Sequence, residues 1–213
     1  MKKILSSFVV VAFLLAGCAK NQVTGRSQLR LLPEKELQSM ATQQYQQFLS
    51  QNKIVPVNVN KDAEMVRRVG SRIASAITQY LQKEGKGDLL EGYKWEFNLI
   101  DNKEVNAWCM PGGKVVVYTG LLPVTQNEAA LAVVVGHEIA HALLRHGAQR
   151  MAQQKLTQIG QVAGAASGMD AQQQQMMMSA MGYGYLLPYA RSHETQADEV
   201  GLMLAAAACF DPR

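Results

Sequence analysis

The sequence predicts a mainly helical α+β domain with one small β-sheet, and three observations carry that expectation. Apolar residues recur at three- and four-residue steps between Lys61 and Gln82, and two short stretches with strand character fall together between residues 93 and 119. Of the 213 residues, 48% are hydrophobic and 18% charged, enough for one substantial core and incompatible with wholesale disorder. The net charge of +4 drops to +2 without Lys2 and Lys3, too little to point to nucleic acid, and no nucleic-acid partner is expected. Three cysteines, Cys18, Cys109 and Cys209, form no CxxC pair, which excludes zinc-ribbon and thioredoxin-like readings.

The opening MKKILSSFVVVAFLLAGC has two lysines, an apolar run from Ile4 to Ala16 and then small residues, the layout of a secretory signal. The run is too short to cross a bilayer comfortably. Leu15-Ala16-Gly17-Cys18 resembles the bacterial lipobox, so residues 1–17 are expected to be a signal peptide, Cys18 the lipidated residue and residues 18–32 a tether. The other readings are an uncleaved signal anchor, or an ordinary signal peptide with an incidental cysteine. Ala19 after the cysteine resembles lipoproteins sorted to the outer membrane, which gives a periplasm-facing outer-membrane lipoprotein as the expected location. Several acyl chains hold such a protein firmly, since each buried CH₂ contributes about 0.8 kcal/mol.

The main domain is expected over residues 33–213. Pro33 followed by Glu34, Lys35 and Glu36 reads as a helix first turn, with acids at the positive end of the dipole, and a Gln-rich helix runs on to about Gln51. Between Lys61 and Gln82 the residues Ala63, Val66, Val69, Ile73, Ile77 and Leu81 mark an amphipathic helix. Tyr93 to Ile100 alternates and Lys114 to Thr119 is β-branched, bounded by Gly112-Gly113 and Gly120, so both read as strands. A mostly buried helix is expected from Gln126 through about Arg150, its apolar run broken only by Gly136. Residues 160–184 hold several glycines and runs of Gln and Met without a strong period, and read as a mobile, partly helical connection. A last helix is expected from about Tyr189 to Ala208.

All four histidines fall at two places. Gly136-His137-Glu138-Ile139-Ala140-His141 contains HExxH, which sets two imidazoles one turn apart on one helix face, within reach of a single Zn²⁺. Glu138 is displaced around the helix toward a metal-bound water. The zinc ion would lower the pKa of that water, and Glu138 would take its proton as general base while the hydroxide attacks a carbonyl polarised by the same metal. Buried in an apolar helix, two histidines and a glutamate would be costly unless they bound something. A surface helix with incidental His and Glu is the plainer alternative.

Two protein ligands fall short of the three usual in a hydrolytic zinc site. A metzincin would place Gly and His at positions held by Leu144 and Gly147, so that class is rejected. His146, about 140° round the helix from His141, reads as structural or as a support to the ligands. In Arg191-Ser-His193-Glu194-Thr-Gln-Ala-Asp198 the two acids stand one turn apart, so Glu194 can ligate while Asp198 accepts a hydrogen bond from the far nitrogen of a ligating imidazole. His193, about 100° from Glu194, is the competing ligand and would leave Asp198 without a role; a solvated acidic face is the plain alternative.

HEIAH, Pro188 through Asp198, Asn106-Ala107 through Pro111-Gly112-Gly113, Thr119-Gly-Leu-Leu and NQVTGRSQL beside Cys18 together resemble the HtpX and CAAX prenyl-endopeptidase family of zinc metallopeptidases, in its BepA-like branch of soluble bacterial lipoproteins. The resemblance implies a zincin-like fold with one Zn²⁺ per chain on His137, His141 and Glu194, Glu138 as base and Asp198 behind a ligand. It also implies that the strand of the Asn106–Leu121 segment edges a substrate cleft marked by Asn106, Ala107, Pro111, Gly112 and Gly113, where an extended peptide adds as a further strand. Turn chemistry alone also accounts for Pro111-Gly112-Gly113.

The implied activity is endopeptidase cleavage of unfolded or misassembled envelope proteins, with the membrane met through the lipid anchor and the outer-membrane assembly machinery as a further partner. A chaperone-like assembly factor using the same cleft with little proteolysis is the alternative. Relatives continue beyond the DPR segment, so the C-terminal part of the domain is expected to be missing from this sequence. Pairing of Cys109 with Cys209 stays open, and residues Gly160 to Gly184 are a candidate lid.

Overall fold

The computed structural model describes residues 18–29 and 31–211, which fall into two compact units. One comprises the described residues up to Pro33 together with His146–Tyr189; the other comprises Glu34–Arg145 and the described residues from Ala190 onward. The expected signal peptide lies outside the described residues.

In the larger unit, helix α1 (Glu34–Gln51) starts with Glu34 and Glu36 in its first turn and buries Leu37, Ala41 and Tyr45, spaced four apart on one face. Helix α2 (Lys61–Lys83) is capped by Asn60, whose side chain accepts from the Asp62 and Ala63 amides, and it buries Val66, Val69, Ile73, Ile77 and Leu81. Three strands form the sheet: β3 (Glu96–Ile100), β4 (Ala107–Met110) and β5 (Lys114–Tyr118), in the order β3-β5-β4, with β5 parallel to β3 and antiparallel to β4.

All five residues of β5 are buried, because helices cover both faces of the sheet. Val115 and Val117 join the main core with α2 and α3 (Glu128–Leu143), while Val116 and Tyr118 pack with Tyr45 and Phe48 of α1. The strand read at 114–119 is therefore central. The edge belongs to β4, whose four residues Ala-Trp-Cys-Met show too little β-branching or alternation to be read as a strand. The β4–β5 turn has Pro111 and Gly112 at its centre, Gly112 at φ +84° and the Gly113 amide donating to the Met110 carbonyl at 3.2 Å, a type II arrangement.

The helix read as continuous from Gln126 to Arg150 is divided. Asn127 caps the start of α3 by accepting from the Ala130 amide, and the helix stops at Leu143. Arg145 then takes φ +61° and pairs with Glu34 at 2.8 Å, and a new helix, α4 (His146–Ala166), begins. His146, fully buried, thus lies beyond the break, and the angle reckoned for it along one helix does not apply.

In the smaller unit β1 (Cys18–Lys20) and β2 (Ser27–Leu29) pair antiparallel, closed by a turn in which the Asn21 side-chain oxygen accepts from the Val23 and Thr24 amides. The Gln149 side chain donates to the Gln28 side-chain oxygen at 2.8 Å and fastens the hairpin to α4. The stretch expected to be a mobile connection is largely helical: α4 is followed by α5 (Ala171–Met181), then by the π-helical turn Gly182–Leu186 leading into α6 (Leu187–Ala207). Asp170 and Gln173 form a capping box at the start of α5, a sequence signal that periodicity alone overlooks. Among the described residues, no helix is long and apolar enough to cross a membrane.

Candidate metal centre

The site forms where α3 and α6 touch, and two glycines let them do so. A Cβ built on Gly136 would lie 2.7 Å from the Gly201 carbonyl oxygen, and one on Gly201 would lie 2.7 Å from the Cα and amide nitrogen of His137. Gly136 was visible in the sequence as an exception within an apolar helix. Gly201 carries the same signal and was not singled out.

At that contact HExxH and Glu194 converge. His141 Nε2 lies 3.0 Å from His137 Nε2, and Glu194 Oε2 lies 3.5 Å from each of those nitrogens. Bonds of 2.0–2.1 Å at tetrahedral angles would separate ligand atoms by about 3.3 Å, so the triangle has the dimensions of three zinc ligands. Two imidazole nitrogens and a carboxylate oxygen are also the donor types zinc takes. This is the group among the described residues with metal-holding geometry.

Asp198 stands one turn beyond Glu194 on α6, and its Oδ1 accepts from His137 Nδ1 at 2.9 Å. With the proton on Nδ1, the Nε2 lone pair is left to face a metal. His193 is buried and outside the group, which favours Glu194 as the third ligand on the spacing argument. The histidine side chains are 22% and 11% exposed and Glu194 is 57% exposed, so the donors open toward solvent on the carboxylate side.

Glu138 follows His137 on α3 and is half-buried. Its carboxylate is felt at Cys109 of β4, whose thiol pKa is pushed up first by burial and further by that charge. Strand β4 packs beside α3, the helix that carries the would-be base. Because the Tyr118 amide donates to the Asn106 carbonyl at 3.0 Å, alternation along the antiparallel pair turns the backbone groups of Trp108 toward β5 and those of Ala107 and Cys109 toward the outer edge. At the opposite edge, β3 is partly covered: the Val55 amide donates to the Leu99 carbonyl and the Asp101 amide to the Lys53 carbonyl, both at 2.9 Å.

The other cleft candidates are spread along this hairpin. Asn106 stands just before β4, its side-chain amide donating to Glu104 at 3.3 Å, and Ala107 is buried as the first residue of the strand. Pro111, Gly112 and Gly113 form the turn at its far end, where a Cβ on Gly113 would meet the Trp95 ring at 2.7 Å. The turn reading of these three residues is thus satisfied in full. Cys109 and Cys209 are both free thiols, and Cys18 is the first residue of β1.

The family model of peptidase family M48 matches residues 60–213. The chain is similar to the mitochondrial metalloendopeptidase OMA1 of Schizosaccharomyces pombe, 37% identical over 141 residues that cover 66% of this chain and 40% of that protein. It is 30% identical over 222 residues to the OMA1 metalloendopeptidase of Bos taurus, covering 98% of this chain and 41% of that one. With the beta-barrel assembly-enhancing protease of Escherichia coli it shares 31% identity over 128 residues, 56% of this chain and 26% of that protein. The chain spans about two fifths of the length of the OMA1 proteins it matches.

Proposed function

From the premise that the chain belongs to peptidase family M48, we propose that it is a zinc-dependent endopeptidase, anchored by lipid at Cys18 and facing the periplasm, that cleaves unfolded or misassembled envelope proteins. The observation that carries the activity is the triangle of His137, His141 and Glu194 with Asp198 behind it. The anchor and location rest on the signal-like N-terminus and Leu15-Ala16-Gly17-Cys18.

His137, His141 and Glu194 would hold the zinc ion. When bound it supplies Lewis acidity, lowering the pKa of water and polarising a carbonyl. Asp198 fixes the His137 ring through Nδ1. Glu138, displaced around α3 from its neighbour His137, accepts the proton that water loses at its carboxylate and can return it to the leaving amine. The outward N–H and C=O groups of Ala107 and Cys109 offer pairing to an extended peptide, which suits unfolded chains better than folded ones.

An unfolded protein substrate, incubated with the chain from residue 18 onward and with its Glu138→Gln variant at equal zinc content, tests this reading. Cleavage should fall at least about 100-fold in the variant. Equal cleavage by both removes Glu138 from the chemistry. Zinc binding without cleavage by either would move the reading to an assembly factor, the role the name of the Escherichia coli relative suggests.

A further inference from the structure

Strand β1 begins at Cys18 itself, which pairs with Leu29, and Gln28 in the same hairpin is fastened to Gln149 of α4. A lipid carried by Cys18 would thus be joined to the smaller unit at a residue of its hairpin, keeping that unit near the bilayer. That unit is also the cationic one. Its described residues include Lys20, Arg26, Arg150 and Lys155 against Asp170 alone, whereas the described residues of the larger unit include sixteen acids against thirteen basic residues.

The smaller unit leaves large apolar side chains in solvent as well. Ile159 and Val162 of α4 are 64% and 70% exposed. Together with Lys155, Gln158, Ala163 and Ala166 they line a shallow apolar groove. These positions recur at three- and four-residue steps and make one stripe along α4, with Lys155 at its first turn, where an aliphatic stem can lie on lipid while the ammonium reaches the headgroups.

We propose that this α4 stripe rests on the surface of a bilayer containing anionic lipid, as an interfacial helix that adds a second membrane contact to the acyl chains on Cys18. Exposed apolar patches on a unit with excess positive charge have the chemistry of such a contact. The inference rests on the lipoprotein reading for its geometry, but the stripe's affinity for lipid is measurable without the anchor.

The test uses the chain from residue 18 onward, made without acylation, floated with vesicles of phosphatidylethanolamine and phosphatidylglycerol at roughly three to one. The parent should float, and Ile159→Asp/Val162→Asp should reduce the bound fraction about tenfold while its far-UV circular dichroism stays unchanged. Val162→Trp should raise binding, so the idea stays exposed to failure even if the double variant folds poorly. A parent that stays in the aqueous fraction, or a double variant that floats equally well, overturns the proposal. So does concentration-dependent self-association abolished by the double variant without vesicle binding, which would make the stripe a contact between copies. Intact mass of the full-length protein recovered from cell membranes reads acylation of Cys18 separately: an unmodified Cys18 there defeats the anchor, while flotation of the unacylated chain through Ile159 and Val162 keeps the stripe.

Discussion

Gly136 of α3 and Gly201 of α6 face each other across a contact with no room for a methyl group on either side. Because the atoms that a Gly201 Cβ would meet are the backbone of His137, the clash cannot be relieved by rotating a side chain. Gly201→Ala should therefore push α6 from α3, widen the distance from Glu194 to the two imidazoles and weaken zinc binding at least about tenfold, with a cost of about 1–3 kcal/mol in stability. The cost outweighs the gain of up to about 1 kcal/mol from replacing glycine within a helix. Gly147→Ala is the control, since a Cβ there meets nothing within 4 Å. Competitive zinc titration and urea unfolding of both variants would decide; a Gly201→Ala protein with parental zinc affinity would remove the packing argument.

Glu194→Ala should lose zinc and His193→Ala should keep it. Glu194 Oε2 closes the donor triangle, whereas His193 is buried outside it. Removing the buried imidazole should lower stability by leaving a cavity, an effect separable from metal content by measuring both. Zinc analysis of purified variants that gave the opposite pattern would reassign the third ligand.

Much of the centre was legible because it depends on helical spacing. HExxH and the Glu194–Asp198 pair are each set by one turn of helix, and period alone places their side chains. The break at Arg145 was not legible, since a non-glycine residue at positive φ leaves no mark in the sequence and is held here by its pairing with Glu34 far away in the chain. Strand β4 was missed for a related reason: four residues are too few for a period, and Trp108 and Met110 face α1 only because β5 pairs alongside. The capping box at Asp170 and Gln173 was readable, and it marks α5 inside a segment whose composition suggests a loop.

Stability should fall between about pH 10 and pH 12, in part through Tyr45. Burial raises its pKa to about 12 from an ordinary 10.0, against a smaller opposing effect of its hydrogen bond with Asn98. In that window the folded state keeps the phenolic proton that the unfolded chain releases, so the contribution is complete below pH 10 and is lost as pH rises through the folded value. Urea unfolding at pH 9 and pH 11 should show a smaller alkaline loss in Tyr45→Phe than in the parent. An equal loss in both would locate the alkaline sensitivity elsewhere.

Asp198→Asn tests whether the carboxylate behind His137 matters to the metal rather than to the fold. Asp198 is 67% exposed, so replacing it should leave the unfolding midpoint nearly unchanged. Its Oδ1 accepts from His137 Nδ1 at 2.9 Å and so fixes which ring nitrogen carries the proton. An amide can accept the same hydrogen bond but supplies no charge to strengthen Nε2 as a donor, so zinc affinity should fall about 10- to 100-fold. Asp198→Ala should fall at least as far, because the ring then loses its orientation as well. Zinc competition against a chelator of known affinity reads both variants. If both bind zinc like the parent, the Asp198–His137 bond is an ordinary contact between α3 and α6, and the support assigned to it disappears while the three ligands stand.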